Sequence, residues 1–247
     1  MKAFCDRVAL AADCEEKMIR ECYKEKNAWL AMGFVQMHMA TGEDTYLEKA
    51  EKIVAETDHE LSFGMVYSYL FQVTGKAEYE KAIELGKEKV VEKADNIFCK
   101  IPFYMECETR YGKKEMYISI VDALIDAKNS ITTVEEACRY LMALIDTMDA
   151  MDFQIYELYR KLQDTFKNTL KAIMLKEGMG KKDRLCIAYA MLKACRMNLL
   201  LKEKYADIAF DCVNQMSKDN AKDSLLEEEP YFAMAYAQSL MLKKDME

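Results

Sequence analysis

Glycine and proline are scarce in this chain, 8 and 2 of 247 residues. Strands need frequent turn residues between them, so this scarcity argues against a many-stranded fold and for helices joined by short loops. Histidine occurs twice, as His38 and His59, and tryptophan once, as Trp29. The 9 cysteines are odd in number, and no two stand at Cys-x-x-Cys spacing. Scattered along helical patterns, they read as small buried apolar groups in a reducing cytoplasm, not as zinc ligands or a disulfide framework. No apolar run approaches a membrane span, and Met1-Lys2-Ala3-Phe4-Cys5-Asp6 soon meets more charge, which argues against a signal peptide. Positive charge is in deficit: 35 Lys and Arg face 43 Asp and Glu, for a net charge of -8 and a pI near 5.1. Phosphate binding needs clustered basic residues, and these are interspersed with acidic ones, so nucleic acid is not an expected partner. A cytoplasmic location with no membrane partner is the expectation.

What the chain has in quantity is Ala, Leu, Met, Glu and Lys, all good helix formers. An all-α fold follows, and the length suits one well-buried domain spanning 1–247. Apolar residues recur at three and four over about twelve segments. Their spans are 3–24, 27–40, 44–56, 61–73, 77–93, 97–110, 114–128, 133–149, 152–176, 182–200, 203–217 and 228–243, with ends uncertain by about two to four residues. Many of the 19 methionines sit at helical spacing, where a flexible thioether fills irregular gaps in a core.

A repeat marks the first half. Ala40-Thr41-Gly42-Glu43-Asp44-Thr45-Tyr46 recurs as Val73-Thr74-Gly75-Lys76-Ala77-Glu78-Tyr79, and more loosely as Arg110-Tyr111-Gly112-Lys113-Lys114-Glu115-Met116-Tyr117. Each glycine is expected in the left-handed position that ends a helix. Tyr46 and Ala50, like Tyr79 and Ala82, then open the next apolar face. Two architectures use such hairpins. A tetratricopeptide-like solenoid matches at Trp29 and Gly33, but Gln36 stands where its tyrosine belongs and later alanines fall out of phase. The other is a ring of six helical hairpins, an (α/α)6 toroid, which about twelve helices would close; this is the preferred reading.

The segment 95–110 reads Asp-Asn-Ile-Phe-Cys-Lys-Ile-Pro-Phe-Tyr-Met-Glu-Cys-Glu-Thr-Arg. Pro102 is expected in the first turn of a helix, with Asp95 at or just ahead of its start and Phe98, Ile101, Phe103 and Met105 turned inward. Asp95 on these grounds is a helix N-cap. The pattern Asp95, Ile97-Phe98, Pro102-Phe103 also resembles the active-site segment of unsaturated uronyl hydrolases, glycoside hydrolase families 88 and 105. Asp58-His59-Glu60-Leu61-Ser62-Phe63-Gly64 resembles their Asp-His-Asp-x-Gly-Phe segment, with Glu60 for an aspartate and Ser62 for a glycine. Without the resemblance, Asp58 and Glu60 are acidic groups favoured by the dipole at a helix start. The segments 183–209 and Tyr231-Phe232-Ala233-Met234-Ala235-Tyr236-Ala237 resemble the family's late hairpin and closing inner helix. They support the fold only.

The resemblance implies the (α/α)6 toroid and hydration of the C4=C5 double bond that a polysaccharide lyase leaves in a uronate. Asp95 would be the catalytic acid and base and Glu60 its companion. Asp58, His59 and Trp29 would contact a small unsaturated oligosaccharide such as a pectin-derived disaccharide. No cofactor or metal is implied, since the chemistry uses protons and water. Family members also carry Trp-x-Arg-Gly-Asn-Gly-Trp ahead of one inner helix, where this chain has Thr133-Val134-Glu135-Glu136-Ala137-Cys138-Arg139. The family's aromatic, histidine-bearing loop between Tyr117 and Thr133 is absent too. Sugars are held on flat aromatic faces and uronates by cationic donors. These losses keep open a second reading, a catalytically inactive relative serving as a carbohydrate-sensing or protein-interaction module.

Overall fold

The computed structural model describes residues 24–57, 61–88, 97–152, 154–218 and 225–247. Among them are eleven α-helices and no strand. In chain order the helices are α1 (Lys24–Thr41), α2 (Asp44–Ala55), α3 (Gly64–Thr74), α4 (Ala77–Glu88), α5 (Ile97–Arg110) and α6 (Tyr117–Ala127). There follow α7 (Val134–Ala150), α8 (Tyr156–Met174), α9 (Lys181–Arg196), α10 (Lys202–Lys218) and α11 (Leu225–Met246). Single 3₁₀ turns precede α3 (Leu61–Phe63) and follow α6 (Lys128–Ser130). The expected segment 3–24 lies outside the described residues, apart from its last position; each of the others coincides with a helix.

The repeated hairpin turn has a local cause. The Thr41 hydroxyl donates to the Met37 carbonyl at 2.8 Å and accepts from the Glu43 amide at 3.2 Å. Thr74 repeats this with Leu70 at 2.7 Å and Lys76 at 3.3 Å. The next residue turns left-handed, Gly42 at φ 73° and Gly75 at φ 67°. Each glycine amide closes the helix on the carbonyl four residues back, His38 or Phe71, at 2.8 Å. The tyrosine that opens the next helix is buried against an aromatic at the same offset upstream: Tyr46 on Phe34 at 6.4 Å, Tyr79 on Tyr67 at 6.2 Å.

The third copy departs from the expectation. Gly112 is not left-handed; Lys114 takes that conformation at φ 64°. Gly112 is small for another reason: a Cβ there would lie 2.9 Å from the Glu108 Cα and 2.4 Å from its carboxylate. The helix expected over 182–200 likewise ends early, at Arg196, because Asn198 is left-handed (φ 57°) and the Leu199 amide returns to the Ala194 carbonyl at 2.8 Å. Asparagine tolerates that region and does here what glycine does elsewhere.

The described helices fall into two compact units. One holds α1, α2 and α9–α11. In it α11 packs on both α1 and α9, α1 on α2, and α9 on α10. Every residue of α9 from Leu185 to Cys195 is buried. The other unit holds α3–α8, with α7 packed between α5 and α8. From Tyr140 to Ile145 the exposure of α7 is 0% throughout, so this helix is enclosed on all sides. In α8 only Leu162, Phe166, Thr169, Leu170 and Ile173 are buried, a one-faced pattern for a helix covering the outside of its unit.

Candidate functional site

Four of the five expected site residues, Asp58, His59, Glu60 and Asp95, lie outside the described residues. The helices that follow the two acidic segments are described, and they pack together within one unit. Gly64, the first residue of α3, faces Phe103 of α5 so closely that a Cβ would come within 2.2 Å of the ring. Of the residues expected inward on α5, Ile101, Phe103 and Met105 are all fully buried; the Phe98 side chain lies outside the described residues. Pro102 departs from its expected place. Since α5 starts at Ile97, the proline lies past the first turn and leaves the carbonyl four residues back without its helical donor.

A buried carboxylate reinforces the same contact. Glu106 of α5 is 6% exposed. It accepts from the Ser68 hydroxyl at 2.7 Å and the Gln72 amide at 3.2 Å, both on α3. Arg110, one turn on, closes the cluster at 2.8 Å through its Nε. A buried anion costs several kcal/mol of desolvation unless paired and hydrogen-bonded, and Glu106 is both. The cluster therefore specifies one register of α5 on α3. Sequence reading passed over it; the available signal was a carboxylate on the inward face of an apolar run, Tyr104-Met105-Glu106-Cys107.

Trp29, the fifth expected site residue, is buried in the other unit at 6% exposure. Its ring lies 5.8 Å from that of Tyr231 on α11, and Lys182 of α9 stands 5.1 Å over the Tyr231 ring. In the same unit Gln238 of α11 donates to Gln36 of α1 at 2.6 Å and accepts from Arg196 of α9 at 2.8 Å. Gln36, the residue that broke the solenoid pattern, is thus one end of a buried polar chain joining three helices. Lys244 adds a bond to the Ala40 carbonyl at 2.7 Å.

The stretch Thr133–Arg139 opens α7 as a helix cap. The Thr133 hydroxyl accepts from the Glu136 amide at 3.1 Å. The Glu136 carboxylate accepts from the Thr132 amide at 2.8 Å, the Thr133 amide at 3.0 Å and the Thr132 hydroxyl at 3.0 Å. The Thr132 amide is the largest of the influences that hold this carboxyl down at about 2. Arg139 lies 3.8 Å from Glu135 on the next turn. Among the described residues no group of three or more His, Cys, Asp or Glu side chains is arranged to hold a metal ion. Nor is any helix there long and apolar enough to cross a membrane.

No protein-family model matches the sequence, and no curated protein matches it. Solved structures do, and they define the fold: an all-α, (α/α)6 toroid of helical hairpins. The solenoid alternative is thereby set aside. One match is a glycoside hydrolase from family 105 of C. acetobutylicum ATCC 824, with a TM-score of 0.69 and 15% identity, covering 95% of this chain and 97% of that one. Another is a family 88 glycosyl hydrolase from Bacteroides vulgatus, with a TM-score of 0.67 and 9% identity, covering 98% of this chain and 99% of that one. At such identity the likeness carries the fold, and chemistry has to be argued from residues.

Proposed function

We propose that this protein is an unsaturated uronyl hydrolase of the rhamnogalacturonyl type, working in the cytoplasm on lyase-generated unsaturated disaccharides, with 1–247 forming one toroid domain. The observation that carries this reading is the fold shared over nearly the whole chain with a family 105 glycoside hydrolase. The packing of α3 on α5 supports it, because those helices follow the segments bearing Glu60 and Asp95. In the proposed reaction Asp95 delivers a proton to C4 of the enol ether and Glu60 assists as water adds at C5. The resulting hemiketal opens and releases the partner sugar. Asp58, His59 and Trp29 contact the substrate. Asp95 has to be protonated near neutral pH for this role, which an apolar surrounding favours.

A second reading has its own observation: the segment Thr133–Arg139 is committed to capping α7 and to an ion pair on its first turns. A toroid that kept its core without the family's substrate-holding groups would serve as a carbohydrate sensor or protein-interaction module. The two are separated by the ultraviolet absorbance of the conjugated C4=C5 uronate, followed with pectin and glycosaminoglycan lyase products. Loss of absorbance with the wild type and none with Asp95→Asn supports the hydrolase. A folded wild type that leaves the absorbance unchanged refutes it in favour of the sensor.

A further inference from the structure

A cavity of about 300 Å³ opens between the end of α6, the start of α7 and the last turns of α8, all within one unit. That volume is at the lower end of those that take small molecules. Its walls are mostly apolar, from Ile131, Val134, Ala137, Ile173 and Tyr140, with Asn168 among the polar lining. Lys128 and Lys176 border it, both exposed, and neither is engaged by a carboxylate among the described residues.

One lining residue is unusual. Thr169 is 7% exposed, and its hydroxyl has no hydrogen-bond partner. Thr41, Thr74, Thr109 and Thr165 each turn their hydroxyl to the carbonyl four residues back, at 2.7–2.8 Å. Thr169, like the buried Thr147, forgoes that easy bond, and its hydroxyl stays an orphan beside an empty volume. Rotation about its Cα–Cβ bond would present the hydroxyl to a ligand.

The surroundings restrict what that ligand is. A sugar needs an open aromatic face and several free polar groups, but the Tyr140 ring is 0% exposed and the Thr132 and Thr133 hydroxyls are already engaged with Glu136. Phosphate would seek the start of α7, but the Glu136 carboxylate already sits there on the Thr132 and Thr133 amides and would repel it. The two lysines at the rim remain as the charge partners. We infer that this cavity is a binding site for a small carboxylic acid with an apolar body, its carboxylate between Lys128 and Lys176 and a hydroxyl or carbonyl at its far end meeting Thr169. The assignment stands whether or not the chain hydrolyses uronates.

Three probes separate the contacts: para-hydroxybenzoate, benzoate without the hydroxyl, and the methyl ester of para-hydroxybenzoate without the charge. Binding is read by titration calorimetry on the full chain, with glucuronate and inorganic phosphate as contrasts. The wild type is expected to prefer para-hydroxybenzoate over each of the other two by about five-fold, the worth of one hydrogen bond or one exposed ion pair. Thr169→Val, nearly isosteric, should abolish the preference over benzoate while leaving the charge preference. Lys128→Gln with Lys176→Gln should do the reverse. No wild-type binding, preferences that survive their matching variant, or tighter binding of glucuronate or phosphate would each overturn the assignment.

Discussion

Replacing Gly64 with alanine sets two effects of opposite sign against each other. Gly64 opens α3 with no left-handed backbone, so alanine is conformationally allowed there, and helix propensity alone favours it by up to about 1 kcal/mol. The new methyl, however, would sit 2.2 Å from two carbons of the Phe103 ring. Ordinary carbon contacts lie at about 3.5–4.0 Å, so the ring or the helix has to retreat by more than an ångström. Phe103 is 0% exposed and has no open side to retreat into. Overpacking of this kind costs about 1–3 kcal/mol, and contact with a buried ring belongs at the upper end. The net expectation is a loss of about 2 kcal/mol, read as a lower urea midpoint at unchanged slope by circular dichroism. Phe103→Leu should relieve the clash, so the double variant should lose less than the sum of the singles, with a coupling of about 0.5–3 kcal/mol. A Gly64→Ala midpoint at or above wild type, or strictly additive losses, would refute the reasoning.

Two more stability predictions follow from the polar contacts. Glu106→Leu takes the acceptor from the Ser68 hydroxyl and the Gln72 amide and should cost about 1–3 kcal/mol in urea titration, with part of the loss recovered by adding Ser68→Ala. Equal midpoints for Glu106→Leu and wild type would remove the case for a register-setting cluster. For Glu136 the sign follows from a carboxyl depressed in the folded state to about 2 from its ordinary 4.5. Its contribution is present above pH 4.5 and is lost as pH falls toward 2. The melting-temperature gap between wild type and Glu136→Gln should therefore be open at neutral pH and close on acidification through that window. A gap that does not depend on pH would contradict the capping geometry.

The sequence by itself determined the features that close within a turn or two. Helix positions follow from periodicity, and the stops at Gly42 and Gly75 follow from a Thr-Gly pair whose bonds reach no further than four residues back. The inward set of α5, Ile101, Phe103 and Met105, was legible too, because burial leaves a long apolar run. The (α/α)6 toroid was legible through hairpin count and through resemblance in the segments around Asp95 and Asp58. The local rule failed where a neighbour outweighed it. Gly112 is set by the Glu108 side chain, not by φ, and Asn198 ends α9 in the way a glycine would.

Only the tertiary structure decided which inward polar groups meet. Periodicity says that Glu106, Gln36 and Gln238 face a core, but it cannot name Ser68 for the first or each other for the last two, far apart in the chain. The same holds for Gly64, whose smallness makes sense only once Phe103 lies against it, and for the Thr169 hydroxyl beside its cavity. Local hydrogen bonds and amphipathic spacing are properties of a segment and can be read along it. Packing partners are chosen when whole helices dock, where one bad contact outweighs any preference written in a single stretch of chain.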